Sequence, residues 1–165
     1  MVFREVDSVY RLYFPVIRAK CRRMLADADE AQDLAQETFI RLWQSELSGL
    51  GTQQIVSWIY RTATRLAVDR LRQRAARPGA ESEAIDHQEQ APGHESAVAA
   101  RQLLSKVCKR LKGDELELFI LRRLDGMKEQ EIAMALDISD RTVRRRAAAL
   151  DERLEQILAE LDHGA

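Results

Sequence analysis

Residues 29–43 read DEAQDLAQETFIRLW. Ala31, Leu34, Phe39, Leu42 and Trp43 recur at helical spacing and make one broad apolar stripe. The other face carries Asp29, Glu30, Asp33, Gln36 and Glu37, followed by Arg41. Acid early and base late is the order that a helix dipole favours. Core packing asks only for the apolar spacing. It does not ask for a D-x-x-Q-E-T-F string, so the polar letters need a second explanation.

Upstream, residues 6–25 form a first helix whose buried stripe is expected to be Val9, Leu12, Tyr13, Val16, Ile17 and Met24. Pro15 lies within it and predicts a kink or break near Phe14. Asp27 to Asp29 then make a polar turn with Asp29 as the N-cap. The helix of residues 29–43 fades at Ser48 to Gly51. A third helix follows from Thr52 to about Arg74, with Ile55, Ile59, Ala63, Leu66, Val68 and Leu71 inward. Together, residues 1–77 make a first helical domain.

Residues 78–95 are a flexible acidic linker, rich in Pro, Gly, Glu, Gln and Ser and poor in large apolar side chains. About twenty flexible residues average roughly 25 Å end to end and reach at most about 70 Å. That span is also about two turns of B-DNA.

Residues 96–165 make a second domain. Leu103, Leu104, Val107 and Leu111 form one stripe, and Leu116, Phe119, Ile120 and Leu124 form the next. After the Asp125-Gly126 turn, Lys128 to Leu136 make a short helix, and residues 131–143 follow a helix-turn-helix pattern. Ala133 is small where two helices cross, and Ile132, Leu136, Ile138 and Val143 form the core that sets the crossing. Ser139 caps a last helix running to about Leu161, and Ser139, Arg141, Thr142, Arg144 and Arg145 stand at its DNA-facing start. Arginine can pair bidentately with guanine, and hydroxyls can hold phosphates. Arg146 lies nearer the inner side. The fold class is therefore all-α, with two small helical domains joined by a linker.

A net charge of −1 argues against a uniformly basic nucleic-acid binder, yet it hides opposed blocks. Between Trp58 and Arg77 six arginines stand against Asp69 alone, whereas Pro78 to Val98 holds five carboxylates and no basic partner. Cys21 and Cys108 have no CxxC or His-paired spacing and read as free buried thiols in a reducing cytoplasm. The isolated His87, His94 and His163 give no zinc pattern, so no metal and no cofactor is expected. No apolar run reaches the roughly 20 residues of a membrane span, and Glu5 and Asp7 interrupt any leader. The expected location is the cytoplasm. No activated serine or metal-spaced carboxylate cluster points to catalysis, so no catalytic residue is assigned.

The order of parts is more specific than any one of them. The D-x-x-Q-E-T-F helix is followed by Ser57-Trp58-Ile59-Tyr60-Arg61, then Ala67-Val68-Asp69-Arg70-Leu71-Arg72, the linker and the helix-turn-helix. Over nearly its whole length the chain resembles the extracytoplasmic-function sigma factors of bacterial RNA polymerase. The resemblance implies a transcription initiation factor that binds core polymerase and recognises −10 and −35 promoter elements. It places Asp33, Gln36, Glu37 and Arg41 on the clamp helices of the largest subunit, and the second domain near the flap region. It gives Arg61, Thr62, Arg65, Arg70 and Arg72 to opening the −10 element, where Asp69 either orients an arginine or touches DNA. It gives Ser139, Arg141, Thr142, Arg144 and Arg145 to the −35 duplex. Phe39 and Trp43 are expected in the core, Trp58 as a structural tryptophan, and the linker in the polymerase's RNA path. An anti-sigma partner is also implied.

The chain departs from the family pattern at Arg65 for an asparagine, Lys112 for a proline, Lys128-Glu129 for Ser-Tyr and Asp137 for the turn glycine. The alternative reading is a helix-turn-helix regulator that binds DNA without joining the polymerase.

Overall fold

A computed structural model describes residues 2–46, 49–77 and 94–163. Every regular element among them is a helix: α1 (Val2–Leu25), α2 (Ala28–Gln44), α3 (Thr52–Ala75), α4 (His94–Cys108), α5 (Asp114–Phe119), α6 (Glu129–Leu136) and α7 (Asp140–His163). The chain is all-α. Residues 78–93, the body of the expected linker, lie outside the described residues, and α4 begins two residues before the expected start of the second domain.

Helices α1, α2 and α3 pack on one another. The sequence stripe of α2 is the reason: Ala31, Leu34, Ala35, Phe39 and Leu42 are all buried, and the Thr38 hydroxyl is satisfied by the Leu34 carbonyl at 2.9 Å. Arg74 clasps the three helices together, donating to the Leu25 carbonyl at 2.9 Å and pairing with Glu30. At the other end Tyr10, Phe14, Phe39 and Trp43 form a ring cluster with centroids 4.9–5.8 Å apart.

Several expectations change here. Helix α1 continues through Pro15, which lies on an exposed face where solvent can take over the carbonyl it leaves unpaired. The cap of α2 is Asp27, not Asp29. Asp27 is extended (φ −101°), and its carboxylate accepts from the amides of Asp29 and Glu30, both at 2.9 Å. Leu12 and Val16 are exposed, so the buried line of α1 runs through Val9, Ile17, Cys21 and Met24 instead. Trp43 is also half exposed, because it caps the ring cluster at the helix end rather than entering the core.

In the second domain α5 passes directly into a wider π turn at Ile120–Leu124, in which the Asp125 amide donates to the Ile120 carbonyl at 3.0 Å. Gly126 (φ 64°) then turns the chain into α6. Asp137 takes the left-handed conformation that the family's glycine would occupy (φ 54°, ψ 49°). The Ser139 hydroxyl accepts from the Thr142 amide at 3.2 Å, as a cap should. Ile132, Leu136 and Val143 are buried and Ile138 is partly so, forming the small core expected of the motif.

The two domains are in contact. Helix α3 packs against α6, α4 and α5.

Candidate polymerase and nucleic-acid interfaces

Asp33, Gln36, Glu37 and Arg41 follow i, i+3, i+4, i+8 spacing on α2, which puts them on one face. Asp33, Gln36 and Arg41 are exposed and Glu37 is half-buried. Arg41 donates to Glu37 Oε1 through Nε at 3.1 Å and Nη2 at 2.6 Å. An exposed pair of this kind contributes only about 0.3–0.5 kcal/mol, so a partner can rearrange it at little cost. Ile40 and Trp43 lie exposed beside this face and give it apolar ground. The opposite side of α2 is locked into the core, so the face is presented rigidly.

The five candidates on α3 do not share one surface. At about 100° per residue, Arg61, Arg65 and Arg72 fall within about 40° of one another, Thr62 lies to one side, and Arg70 is about half a turn away. Arg65, Arg70 and Arg72 are exposed and form no ion pair with a described residue. Arg61 is different. Its Nη2 donates to the Leu136 carbonyl at 2.6 Å, and Ser57, one turn earlier, donates to the Ala135 carbonyl at 2.5 Å. These are the last carbonyls of α6, the end of a helix that attracts donors and cations. Arg61 Nε also lies 4.0 Å from the carboxylate of the buried Glu117 without a hydrogen bond. Burial pushes the Glu117 carboxyl above its usual range, and Arg61 and Arg65 pull it back.

On α7, Arg141 and Arg145 are exposed one turn apart, Thr142 is half-buried, and Arg144 reaches toward Glu129 at 3.8 Å. Ser139 shares its hydroxyl with the Thr142 hydroxyl at 2.9 Å as well as capping the helix, so its first role is structural. Arg146 turns inward to Asp114 at 3.0 Å.

Sequence patterns missed a second group. Lys20 is fully buried and pairs with Asp125, whose other oxygen accepts from Arg23 at 2.8 Å. Burial lowers the Lys20 ammonium's pKa, and Asp125 opposes that shift. One signal was available: Lys20 stands in register with Ile17 and Met24, on the inward line of α1.

The arrangement is thus an exposed polar face on α2, an arginine-bearing helix α3 packed against it, and a helix-turn-helix in the second domain. The profile of sigma-70 region 2 matches residues 9–77, and that of sigma-70 region 4 matches residues 101–149. The ferric citrate uptake sigma factor FecI of Escherichia coli (strain K12) is 31% identical, the alignment covering 96% of this chain and 92% of FecI. The ECF RNA polymerase sigma factor SigW of Bacillus subtilis (strain 168) is 30% identical over 94% of this chain and 85% of its own length. The chain belongs to the extracytoplasmic-function sigma factors.

This sigma factor is a promoter-directing initiation factor that works with RNA polymerase, and the alternative of a regulator acting apart from the polymerase is set aside. The region 2 match spans most of α1 and all of α2 and α3, and the region 4 match runs from within α4 to within α7. No helix among the described residues is long and apolar enough to cross a membrane.

Proposed function

We propose that the Asp33, Gln36, Glu37 and Arg41 face of α2 docks on the clamp helices of the polymerase's largest subunit, while region 4 sits near the flap. The observation that carries this is the grouping of four polar, solvent-facing side chains on a helix whose other side is fixed in the core. Arg61, Arg65 and Arg72, with Thr62 alongside, engage the −10 strand: cations hold the backbone while a base is unstacked. Arg70, on the far side of α3, serves as a backbone contact at most. Arg141, Thr142, Arg144 and Arg145 read the −35 duplex, with Ser139 fixing the start of their helix. Bond making stays with the polymerase. The factor works in the cytoplasm, where its polymerase is, and a separate anti-sigma protein covers its exposed apolar positions, such as Leu12, Val16 and Trp43.

The test is in vitro transcription with purified core polymerase and a library of upstream DNA, paired with core-binding measurements on Asp33→Arg/Glu37→Arg. Loss of core binding with unchanged helix content and unchanged −35 duplex binding is expected. Normal holoenzyme formation by the double variant would remove α2's face from the interface.

A further inference from the structure

The arginines at the start of α7 are sorted by carboxylates on the neighbouring helices. Arg146 is drawn inward by Asp114 at 3.0 Å, and Arg144 has the Glu129 carboxylate of α6 3.8 Å from its Nε. Arg141 and Arg145 are exposed and form no ion pair with a described residue. Arg144 and Glu129 are each more than half exposed, so the pair lies open to whatever docks on α7.

Stability explains Glu129 poorly. The helix dipole favours an acid in the first turn of α6, but Glu131 already supplies one. Glu131 also closes the terminus, its Oε2 accepting from the Lys128 amide at 2.7 Å. An exposed ion pair such as Glu129 with Arg144 adds little. The family pattern has an uncharged tyrosine at this position, so the carboxylate is a departure of this chain.

A carboxylate beside a DNA-facing arginine matters more for what the arginine chooses. On a duplex, an arginine can fork onto guanine O6 and N7 or swing to a phosphate, and the phosphate is there whatever the sequence. Glu129 works against the swing, because it offsets the charge that the backbone attracts. The fork to guanine depends on direction more than on net charge. Glu129 approaches Arg144 through Nε, which leaves both Nη groups without a partner among the described residues and available for that fork.

We infer that Glu129 is a specificity-determining residue of region 4. It turns Arg144 from a backbone contact into the reader of one guanine, and it lowers affinity for duplexes that lack guanine there. Glu129 acts through Arg144, as a positioning residue rather than a base contact. The inference rests on the assignment of α7 to the −35 duplex.

Counterion release sets the size of the effect. Restoring one phosphate contact on a wrong duplex multiplies its affinity by about eightfold at 0.1 M salt and about threefold at 0.3 M. The guanine-bearing duplex gains nothing comparable, since Arg144 is already engaged on the base. Loss of the carboxylate therefore shrinks the guanine preference by those two factors.

The test is selection by holoenzyme, reconstituted from core polymerase and the full chain, from duplexes randomised over the upstream region. Bound DNA is sequenced after selection at each of the two salt concentrations. Arg144→Ala is expected to erase a guanine preference at one −35 position and no other. Glu129→Gln is expected to lower that same preference about eightfold at 0.1 M and about threefold at 0.3 M. Glu129→Asp, which keeps the charge, retains most of it. Asp162→Asn makes the same charge change about 27 Å farther along α7, well beyond the roughly 10 Å screening length, and is expected to alter nothing.

A guanine preference erased by Arg144→Ala but untouched by Glu129→Gln overturns the role of Glu129 and leaves α7 as the −35 reader. So does a loss spread evenly over all positions, which a general disturbance of the motif would give. A guanine preference that survives Arg144→Ala overturns the inference at its reader. A wild-type selection without any −35 preference overturns the assignment of α7, and the inference with it.

Discussion

Phe39 and Trp43 stand four residues apart on α2 and share the same ring cluster, yet their burial differs sharply: Phe39 is 0% exposed and Trp43 53%. Replacing Phe39 by alanine removes a ring packed edge-on against Tyr10 at 5.1 Å and against Phe14 at 5.8 Å. A cavity in that position costs about 3–5 kcal/mol. For a cooperative unit of this size each kcal/mol lowers Tm by about 2–4 °C, so a fall of roughly 6–20 °C is expected. Trp43→Ala forfeits about half of a large ring's area. At 25 cal/mol per Å² that is about 2 kcal/mol, and Tm falls by about half as much. Thermal and urea unfolding followed by circular dichroism measure both. Core-polymerase binding, measured well below each Tm, then separates packing from contact. Trp43→Ala weakens it because the indole flanks the polar handle, whereas folded Phe39→Ala retains it. A Phe39→Ala cost below about 1 kcal/mol, or a larger cost at Trp43, would refute the division of α2 into a locked and a presented side.

Three further outcomes follow from the same geometry. Asp137→Gly relieves a left-handed non-glycine residue and raises the stability of region 4 by up to about 1 kcal/mol, less the added freedom of the unfolded chain; urea midpoints check it. Burial pushes the Cys21 thiol up to about 12 and the Cys108 thiol up to about 11, so the native chain resists thiol reagents at pH 8. Because the unfolded chain gives up these protons first, stability is full below about pH 9. It then falls by about 1.4 kcal/mol per thiol per pH unit until each folded pKa is reached; alkaline denaturant titrations that show no such fall would contradict the burial. Arg144→Ala weakens −35 duplex binding by about 1–3 kcal/mol if its contact is to a base edge, and a loss confined to the salt slope marks a phosphate contact instead.

The motif letters of α2 were readable because a helix's period assigns each residue to a face before any partner is known. The same holds for the helix-turn-helix, where small Ala133, left-handed Asp137 and capping Ser139 each answer a local demand of backbone geometry. Local rules faltered where burial depends on what arrives from elsewhere. Leu12 and Val16 have the right spacing but no described element packs over them, and Trp43 is at a helix end where the cluster stops. Asp27 displaced Asp29 as cap because the turn left Asp27, not its neighbour, in extended backbone.

By itself, then, the sequence determined the all-helical architecture, the two-domain order and which side of α2 is free to meet a partner. These follow from periodicity, capping and composition, which act over a few residues. Only the tertiary structure decided that Arg61 is bonded to the end of α6 and that Lys20, Arg23 and Asp125 meet. Charged side chains carry no periodic mark of their partner. A lysine on an inward line becomes an ion pair only when a carboxylate more than a hundred residues away is folded against it.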